Sequence, residues 1–210
     1  LKKNIKFDMI IFSHSIMYVD NLKTTLEFAR KILKKNGYIY IQLPNINFNP
    51  FYSLMADQRY IFSESNLINS FNILNFKIKK IYNANLEREL IFLRKIKYFK
   101  EKRFLNDQTI EKNYIIIEKI KKILEYKYQY KYIVMGMTLN AAFIYEVLKK
   151  RILYFVDESI KKNIRFKNKL VKHPSEIKFN ENVIMPYFNK KIVNKFKKKY
   201  KGNFISLSQL

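Results

Sequence analysis

Cysteine and tryptophan are absent from this sequence of 210 residues, and glycine occurs only 3 times. The missing cysteine excludes a disulfide framework, a thiolate zinc site and a cysteine nucleophile together. No apolar run reaches the roughly 18 residues that a transmembrane helix requires. The opening Leu1-Lys2-Lys3-Asn4-Ile5-Lys6-Phe7-Asp8 breaks its short apolar stretch with charge, unlike a signal peptide. No membrane partner is expected, and the expected location is cytoplasmic. No grouping of His, Asp and Glu has metal-ligand spacing, and no Ser-His-Asp order points to a hydrolase. Acid is scarce as well: 17 acidic residues stand against 42 basic ones, a formal net charge of +25. Such a charge recruits phosphate-rich partners or acidic surfaces when it is clustered. Here lysine is spread along the chain, densest over Lys195–Lys201, amid abundant Asn, Ile, Phe and Tyr. That usage is what AT-rich coding produces, so any nucleic-acid affinity is expected to be non-specific.

What is present is a core. The apolar fraction is 48% and the aromatic fraction 16%, which excludes a disordered chain and suits one large or two small domains. Phe7-Asp8-Met9-Ile10-Ile11-Phe12 reads as a strand buried on both faces. A helix follows a cap at Asp20 or Asn21, with Leu22, Leu26, Ala29 and Leu33 on one face and Gly37 at its end. Tyr38 to Leu43 is a second strand, closed by Pro44-Asn45, which completes a strand-helix-strand unit of a parallel sheet. Ser63 opens another helix with Leu67, Ile68, Phe71 and Leu74 inward. Asn75 stands at a left-handed cap, and Phe76 to Ile81 begins a strand.

From about Asn85 to Tyr130 there is no Gly or Pro, and the pattern predicts two helices broken near Asn106-Asp107. A second strand-helix-strand unit then runs from Lys131 to Asp157. Its turn is Gly136-Met137-Thr138, and its helix from Leu139 to Lys149 offers Ala142, Tyr145, Val147 and Leu148 for packing. A strand at Val183-Ile184-Met185, a basic helix from Lys190 to Tyr200 and a strand from Phe204 to Leu207 close the chain. The expected organisation is residues 1–82, a connector over 83–130 and a third segment over 131–210.

Three separated blocks carry a resemblance. Residues 7–20 resemble the fourth-strand region of class I S-adenosylmethionine-dependent methyltransferases. Leu33-Lys34-Lys35-Asn36-Gly37-Tyr38-Ile39-Tyr40-Ile41-Gln42-Leu43-Pro44-Asn45 is similar to the turn and fifth strand of that family. Phe62 to Leu67 and Asn75-Phe76 look like its later helix and Gly-Phe. Residues 132–207 resemble the C-terminal Rossmann-like domain of sugar C-methyltransferases, through the Gly136 turn, Phe155-Val156-Asp157, Pro174-Ser175-Glu176-Ile177 and Val183-Ile184-Met185-Pro186. The fold class this implies is α/β: the C-terminal half of a class I methyltransferase Rossmann-like sheet, a helical connector and a second small Rossmann-like unit.

The resemblance implies S-adenosylmethionine as cofactor and a small molecule, such as a sugar, as methyl acceptor. In-line attack on the cofactor's methyl group would be helped mainly by positioning. The family's glycine-rich loop and acidic ribose partner precede its fourth strand, and this chain starts at that strand. The expectation is therefore a truncated or split form, completed by an upstream chain. His14 and Tyr18 stand as catalytic candidates, and Ser13 with His14 as cofactor contacts. Pro44, Asn45, Asp57, Arg59, Tyr60 and Asp157 stand as substrate contacts, the last for a sugar or ribose hydroxyl. Each has a plainer reading too: a turn histidine, a strand stop, inert surface loop residues, a solvated strand-end carboxylate. Gly136 is expected to serve a tight turn, Asp8 the entry to the sheet and His173 the surface. The competing classes are a non-enzymatic basic RNA-binding or scaffold protein and a pseudoenzyme half completed by another chain.

Overall fold

A computed structural model describes residues 5–83, 87–94, 107–127, 129–160 and 164–209. The chain is mixed α/β and divides into two compact units, Leu1–Tyr114 and Ile115–Leu210.

In the first unit, β1 (Phe7–Ser13), α1 (Leu22–Ile32) and β2 (Leu33–Pro44) form the expected parallel crossover. Asn21 caps α1 by accepting from Thr24 N–H, and Ser63 caps α2 (Glu64–Asn72) by accepting from Asn66 N–H. Asn75, at φ 59°, turns the chain into β3 (Phe76–Asn83). The last strand, β4 (Glu87–Arg94), inserts antiparallel between β2 and β3, giving the order β1-β2-β4-β3. Helices α1 and α2 lay Leu26, Ala29, Leu67, Ile68 and Phe71 on Ile39, Ile41, Phe76 and Phe92, all buried in one core. Phe92 stacks on Phe71 with ring centroids 4.1 Å apart.

Three expectations are corrected here. The connector expected over 83–130 is not helical throughout, because 87–94 is β4. Its charged residues favour a helix locally, but a slot between two strands supplies two ladders of hydrogen bonds, and tertiary pairing overrides propensity. The remainder of the first expected connector helix, 95–106, lies outside the described residues. The second is α3 (Thr109–Lys127), which spans the boundary between the units and buries Ile117, Ile120 and Leu124 as its periodicity predicts, although Tyr114 is exposed. Strand β1 is not buried on both faces: it forms the edge of the sheet, and Phe7, Met9 and Ile11 are exposed. Leu33 belongs to the start of β2 and not to the helix, because α1 ends at Ile32.

In the second unit the sheet order is β10-β9-β5-β6-β8-β7. Strands β5 (Tyr132–Met135) and β6 (Ile152–Val156) flank the crossover helix α4 (Leu139–Leu148). The chain continues through β7 (Ile164–Phe166) and β8 (Lys169–Lys172), then returns to the other side of β5 with β9 (Asn182–Met185), α5 (Lys190–Lys199) and β10 (Asn203–Ser206). All pairs are parallel except the β7–β8 hairpin. Helix α4 buries Asn140, Ala141, Ile144 and Leu148, a face rotated from the expected Ala142, Tyr145 and Val147. The hairpin went unforeseen because its turn is Lys167-Asn168, both at positive φ (49° and 61°), without the usual glycine.

Candidate functional site

In open α/β sheets, ligands bind outside the carboxyl ends of parallel strands, at the point where strand order reverses. The second unit has such a reversal; the first, in the order β1-β2-β4-β3, offers the carboxyl ends of its parallel pair β1 and β2 at the sheet edge.

In the first, the turns after β1 and β2 meet. His14 adopts φ 47° and its N–H donates to the Gln42 carbonyl at 2.9 Å, while the Ser13 hydroxyl donates to Gln42 Oε1 at 2.8 Å. The N–H groups of Arg59 and Tyr60 both donate to the Met17 carbonyl, at 3.0 and 3.1 Å. Arg59 pairs with Asp20 at 3.0 Å, and the Tyr18 hydroxyl lies 3.4 Å from Asp57 Oδ2. The Tyr60 hydroxyl accepts from Leu22 N–H at 3.2 Å and its ring stacks on Phe62, so Tyr60 fastens the start of α1. Asn45 is buried, with Oδ1 accepting from Asn47 N–H at 3.2 Å. The structure thus ties Tyr18 to Asp57 and the Arg59-Tyr60 segment to the loop after β1, while Ser13 and His14 bond to Gln42 of β2 and Asn45 bonds within its own turn. Most of these bonds tie loop to loop.

Sequence reasoning missed several buried and half-buried polar contacts elsewhere in this unit. Asn113 Nδ2 donates to the Ile46 carbonyl and to Ser53 Oγ, each at 3.0 Å, and Asn49 Oδ1 accepts from Phe51 N–H at 3.2 Å. Asp107 accepts from the Ser63 hydroxyl and, at 3.0 Å, from Thr109 N–H. Burial pushes the Asp107 carboxyl up, but these hydrogen bonds outweigh it and hold the group below the usual carboxylate range. Nothing in the local pattern distinguishes these residues from the many other Asn and Ser of the chain.

The described residues of this unit do not fit S-adenosylmethionine. Such a cofactor needs backbone amides at close approach, which glycine turns provide. The turn after β1 is Ser13-His14-Ser15 and the carboxyl end of β2 carries Pro44-Asn45, so neither strand end supplies a glycine turn. Gly37 lies within β2, where an added Cβ would stand 2.7 Å from Leu33 Cγ and 3.0 Å from the Asp8 carbonyl. Its openness is already filled by the protein.

The second place is the crevice between β5 and β9, where the strand order reverses. Gly136, at φ 80°, donates its N–H to the Val156 carbonyl at 2.7 Å. Thr138 caps α4 by accepting from Ala141 N–H at 3.2 Å. Asn140 Nδ2 donates at 2.9 Å to the Pro186 carbonyl, fixing the start of α4 to the end of β9. Asp157 ends β6, its Oδ1 accepting from the Ser159 N–H at 2.9 Å and the Ser159 hydroxyl at 2.6 Å. Tyr187, not foreseen from the sequence, places its hydroxyl 2.7 Å from where a Gly136 Cβ would stand. Burial first, and then the charges of Asp157 and Glu158, push the Tyr187 hydroxyl up to about 12. The crevice therefore joins the positive end of a helix, a carboxylate and a protonated phenol.

Parallel stacking joins Tyr187 to Phe196 at 6.1 Å and Phe196 to Tyr200 at 5.9 Å, and His173 meets Tyr200 edge-on at 6.2 Å. This line of rings leads to an open cleft of about 540 Å³ lined by His173, Ser175, Lys178, Phe179, Lys199 and Tyr200, among others. His173 is thus a cleft residue, half-buried, and its Nδ1 is 2.7 Å from Ser175 Oγ. Glu158 Oε1 accepts from Lys199 Nζ and Tyr200 Oη, each at 2.5 Å; these bonds hold its carboxyl below the ordinary range. Among the described residues, no group of three or more His, Cys, Asp or Glu is arranged to hold a metal ion. No described helix is long and apolar enough to cross a membrane.

No protein-family model matches the sequence, and no curated protein matches it. Among solved structures, the chain is similar to a type 11 methyltransferase from Sulfolobus solfataricus at 19% identity and TM-score 0.37, covering 49% of this chain and 60% of that one. It is also similar to a SAM-dependent methyltransferase from Thermotoga maritima at 17% identity and TM-score 0.37, covering 44% and 58%. The likeness spans less than two thirds of either neighbour, and no residue role is carried over from it.

Proposed function

We propose that this chain serves a methyl-transfer reaction by holding the methyl acceptor, a nucleotide-linked sugar, in its second unit. The observation that carries the reading is the convergence at the β5–β9 crevice. Gly136 at positive φ leads into the capped amino end of α4, and the Asp157 carboxylate stands at the end of the next strand. A helix amino end favours phosphate, through its unpaired N–H groups and its dipole. A strand-end carboxylate suits the hydroxyls of a ribose or hexose. The ring line and the cleft beyond it extend an apolar surface on which a base can lie. The resemblance of residues 132–207 to a sugar C-methyltransferase domain supports the same ligand class. Supply of the methyl group is not assigned to residues of this chain, since those described do not fit its donor.

Calorimetry on the full chain tests this, titrating uridine and thymidine diphosphates, their hexose conjugates, and free hexose. Expected is binding of the diphosphate conjugates and none of free hexose. Asp157→Asn should weaken the conjugate roughly tenfold, the loss of one charge-assisted hydrogen bond. Absence of diphosphate binding at millimolar ligand, or affinity indifferent to both Asp157→Asn and Gly136→Val, overturns the reading.

A further inference from the structure

Lysine is dispersed through most of the sequence, but α5 gathers it. Six of the ten residues of this helix are lysine, Lys190, Lys191, Lys195, Lys197, Lys198 and Lys199, and none is acidic. At 3.6 residues per turn, the lysines and Asn194 sweep one continuous arc, and Ile192, Val193 and Phe196 the other. The apolar arc is spent inward. Val193 is buried, and Phe196 packs on the core of the second unit, stacked with Tyr187 and Tyr200. The cationic arc faces outward, with all six lysines exposed. Lys199 pairs with Glu158, and the charge of Lys195 reaches the same carboxylate. Among the described residues the other four, Lys190, Lys191, Lys197 and Lys198, form no ion pair. Helix α3 makes the contrast: its lysines are interleaved with Glu111, Glu118 and Glu125.

The helix dipole accounts for only part of this pattern. Cations suit the carboxyl end of a helix, where Lys197, Lys198 and Lys199 stand. The first turn favours carboxylates, yet it holds Lys190 and Lys191. Like charges also stand one turn apart at Lys191 and Lys195, and again at Lys195 and Lys199. The arrangement works against the isolated helix and in favour of a bound anion. Beside it lies a hollow of about 260 Å³, lined by Lys190, Asn194 and Lys197 of the helix and by Ser206, Ser208 and Gln209, with no acidic residue. Gln209 Oε1 accepts from the Ser206 N–H and hydroxyl at 3.0 and 3.1 Å, which leaves its amide nitrogen to donate.

We infer that the outer face of α5 binds the sugar-phosphate backbone of a nucleic-acid duplex without reading its sequence. Ten residues of helix span about 15 Å, over which one strand of a duplex presents about four phosphates. The four lysines without ion pairs match that number. Lysine meets phosphate as a point charge and carries no sequence information. The amide and hydroxyl donors of the hollow add the neutral contacts to phosphate that such interfaces use. The observations select this occupant over others. Single strands are held by bases stacked on rings, and the ring of Phe196 is turned into the core. A helix lying on a membrane buries its apolar arc in lipid, but here the sheet has taken that arc. A protein interface has an apolar or aromatic centre, whereas the outer arc consists of lysine and Asn194. A second copy of the chain brings the same net charge of +25 and is repelled.

The test uses the full chain and a fluorescein-labelled DNA duplex of about 16 base pairs, followed by anisotropy across salt. Lys190→Gln, Lys191→Gln, Lys197→Gln and Lys198→Gln together keep the helix propensity. They should flatten the salt slope by about 3–4 and weaken binding roughly a hundredfold or more at about 0.1 M salt. The matched control on α3, Lys112→Gln, Lys119→Gln, Lys122→Gln and Lys127→Gln, should cost under about threefold. A single strand of the same sequence should bind at least about tenfold more weakly, and duplexes of unrelated sequence within about twofold of one another. In wild type, bound duplex should slow acetylation by an N-hydroxysuccinimide ester at Lys190, Lys191, Lys197 and Lys198 and leave Lys119 and Lys122 unchanged. That readout needs no variant to fold. Protection absent from α5, equal losses in the two variants, or a single strand bound as tightly as the duplex overturns the inference. So does affinity that depends on sequence, or displacement of the duplex by vesicles of one-third phosphatidylserine.

Discussion

Gly136 is the position at which a single methyl group tests the geometry of the crevice most sharply. Its φ of 80° is a conformation that an L side chain adopts at a cost of about 1–2 kcal/mol. An added Cβ would also stand 2.7 Å from the Tyr187 hydroxyl but 3.6 Å from its Cζ, so the collision is with the oxygen alone. Overpacking of this kind costs about 1–3 kcal/mol, and Gly136→Ala should lose the sum, roughly 2–5 kcal/mol of stability. Tyr187→Phe deletes the oxygen and keeps the ring against Phe196. In the double variant the steric part should vanish and the backbone part remain, so the two changes should couple favourably by about 1–3 kcal/mol. Urea denaturation of the full chain, with hydrogen exchange at the amides of β5 and β9, reports the second unit specifically. Additivity within about 0.5 kcal/mol would refute the placement of the hydroxyl over Gly136. Recovery of full stability in the double variant would refute the strained φ.

The remaining predictions concern each unit in turn. Phe92→Ala should cost about 3–5 kcal/mol, because the ring is fully buried and stacked on Phe71; a melting temperature unchanged from wild type would place 87–94 outside the core. The raised pKa of Tyr187 means that the folded chain keeps a proton the unfolded chain releases from about pH 10. Its contribution is therefore complete below pH 10 and falls as pH rises toward 12, by up to about 2–3 kcal/mol. Urea midpoints between pH 9 and 11.5 should decline less steeply in Tyr187→Phe, and parallel slopes would refute the burial of that hydroxyl. Calorimetry of the chain with S-adenosylmethionine should show no binding tighter than millimolar, and a micromolar constant would reveal a cradle that the described residues of the first unit do not form.

Much of the fold was legible because its elements carry local signatures. Asn21 and Ser63 announce helices by capping, Asn75 and Gly136 announce turns by tolerating positive φ, and the strands of the second unit are short apolar runs. What failed to show was whatever depends on neighbours. Strand β4 reads as a helix because its residues favour one; only the gap between β2 and β3 makes it a strand, and that gap is a property of the sheet. The exposed face of β1 hides behind a continuous apolar run for a related reason. Such a run marks a strand but does not say how many layers cover it.

The candidate sites divide along the same line. Ser13, His14 and Asp157 are singled out as candidates by a rule about position, since each stands at the carboxyl end of a strand that local pattern identifies. Tyr187 is not, although it is nearer than any of them to a glycine that the sequence singles out. It reaches Gly136 because β9 pairs with the side of β5 that β6 leaves open, and residue spacing does not record on which side a returning strand will pair. The residues following β9 share the crevice with the turn after β5 for that reason alone. A substitution that weakens the β5–β9 ladder at Val134 and Ile184 should therefore loosen Tyr187 from Gly136 without touching either residue. A change confined to the β6–β8 pairing should spare their contact, even though Asp157 would move with it.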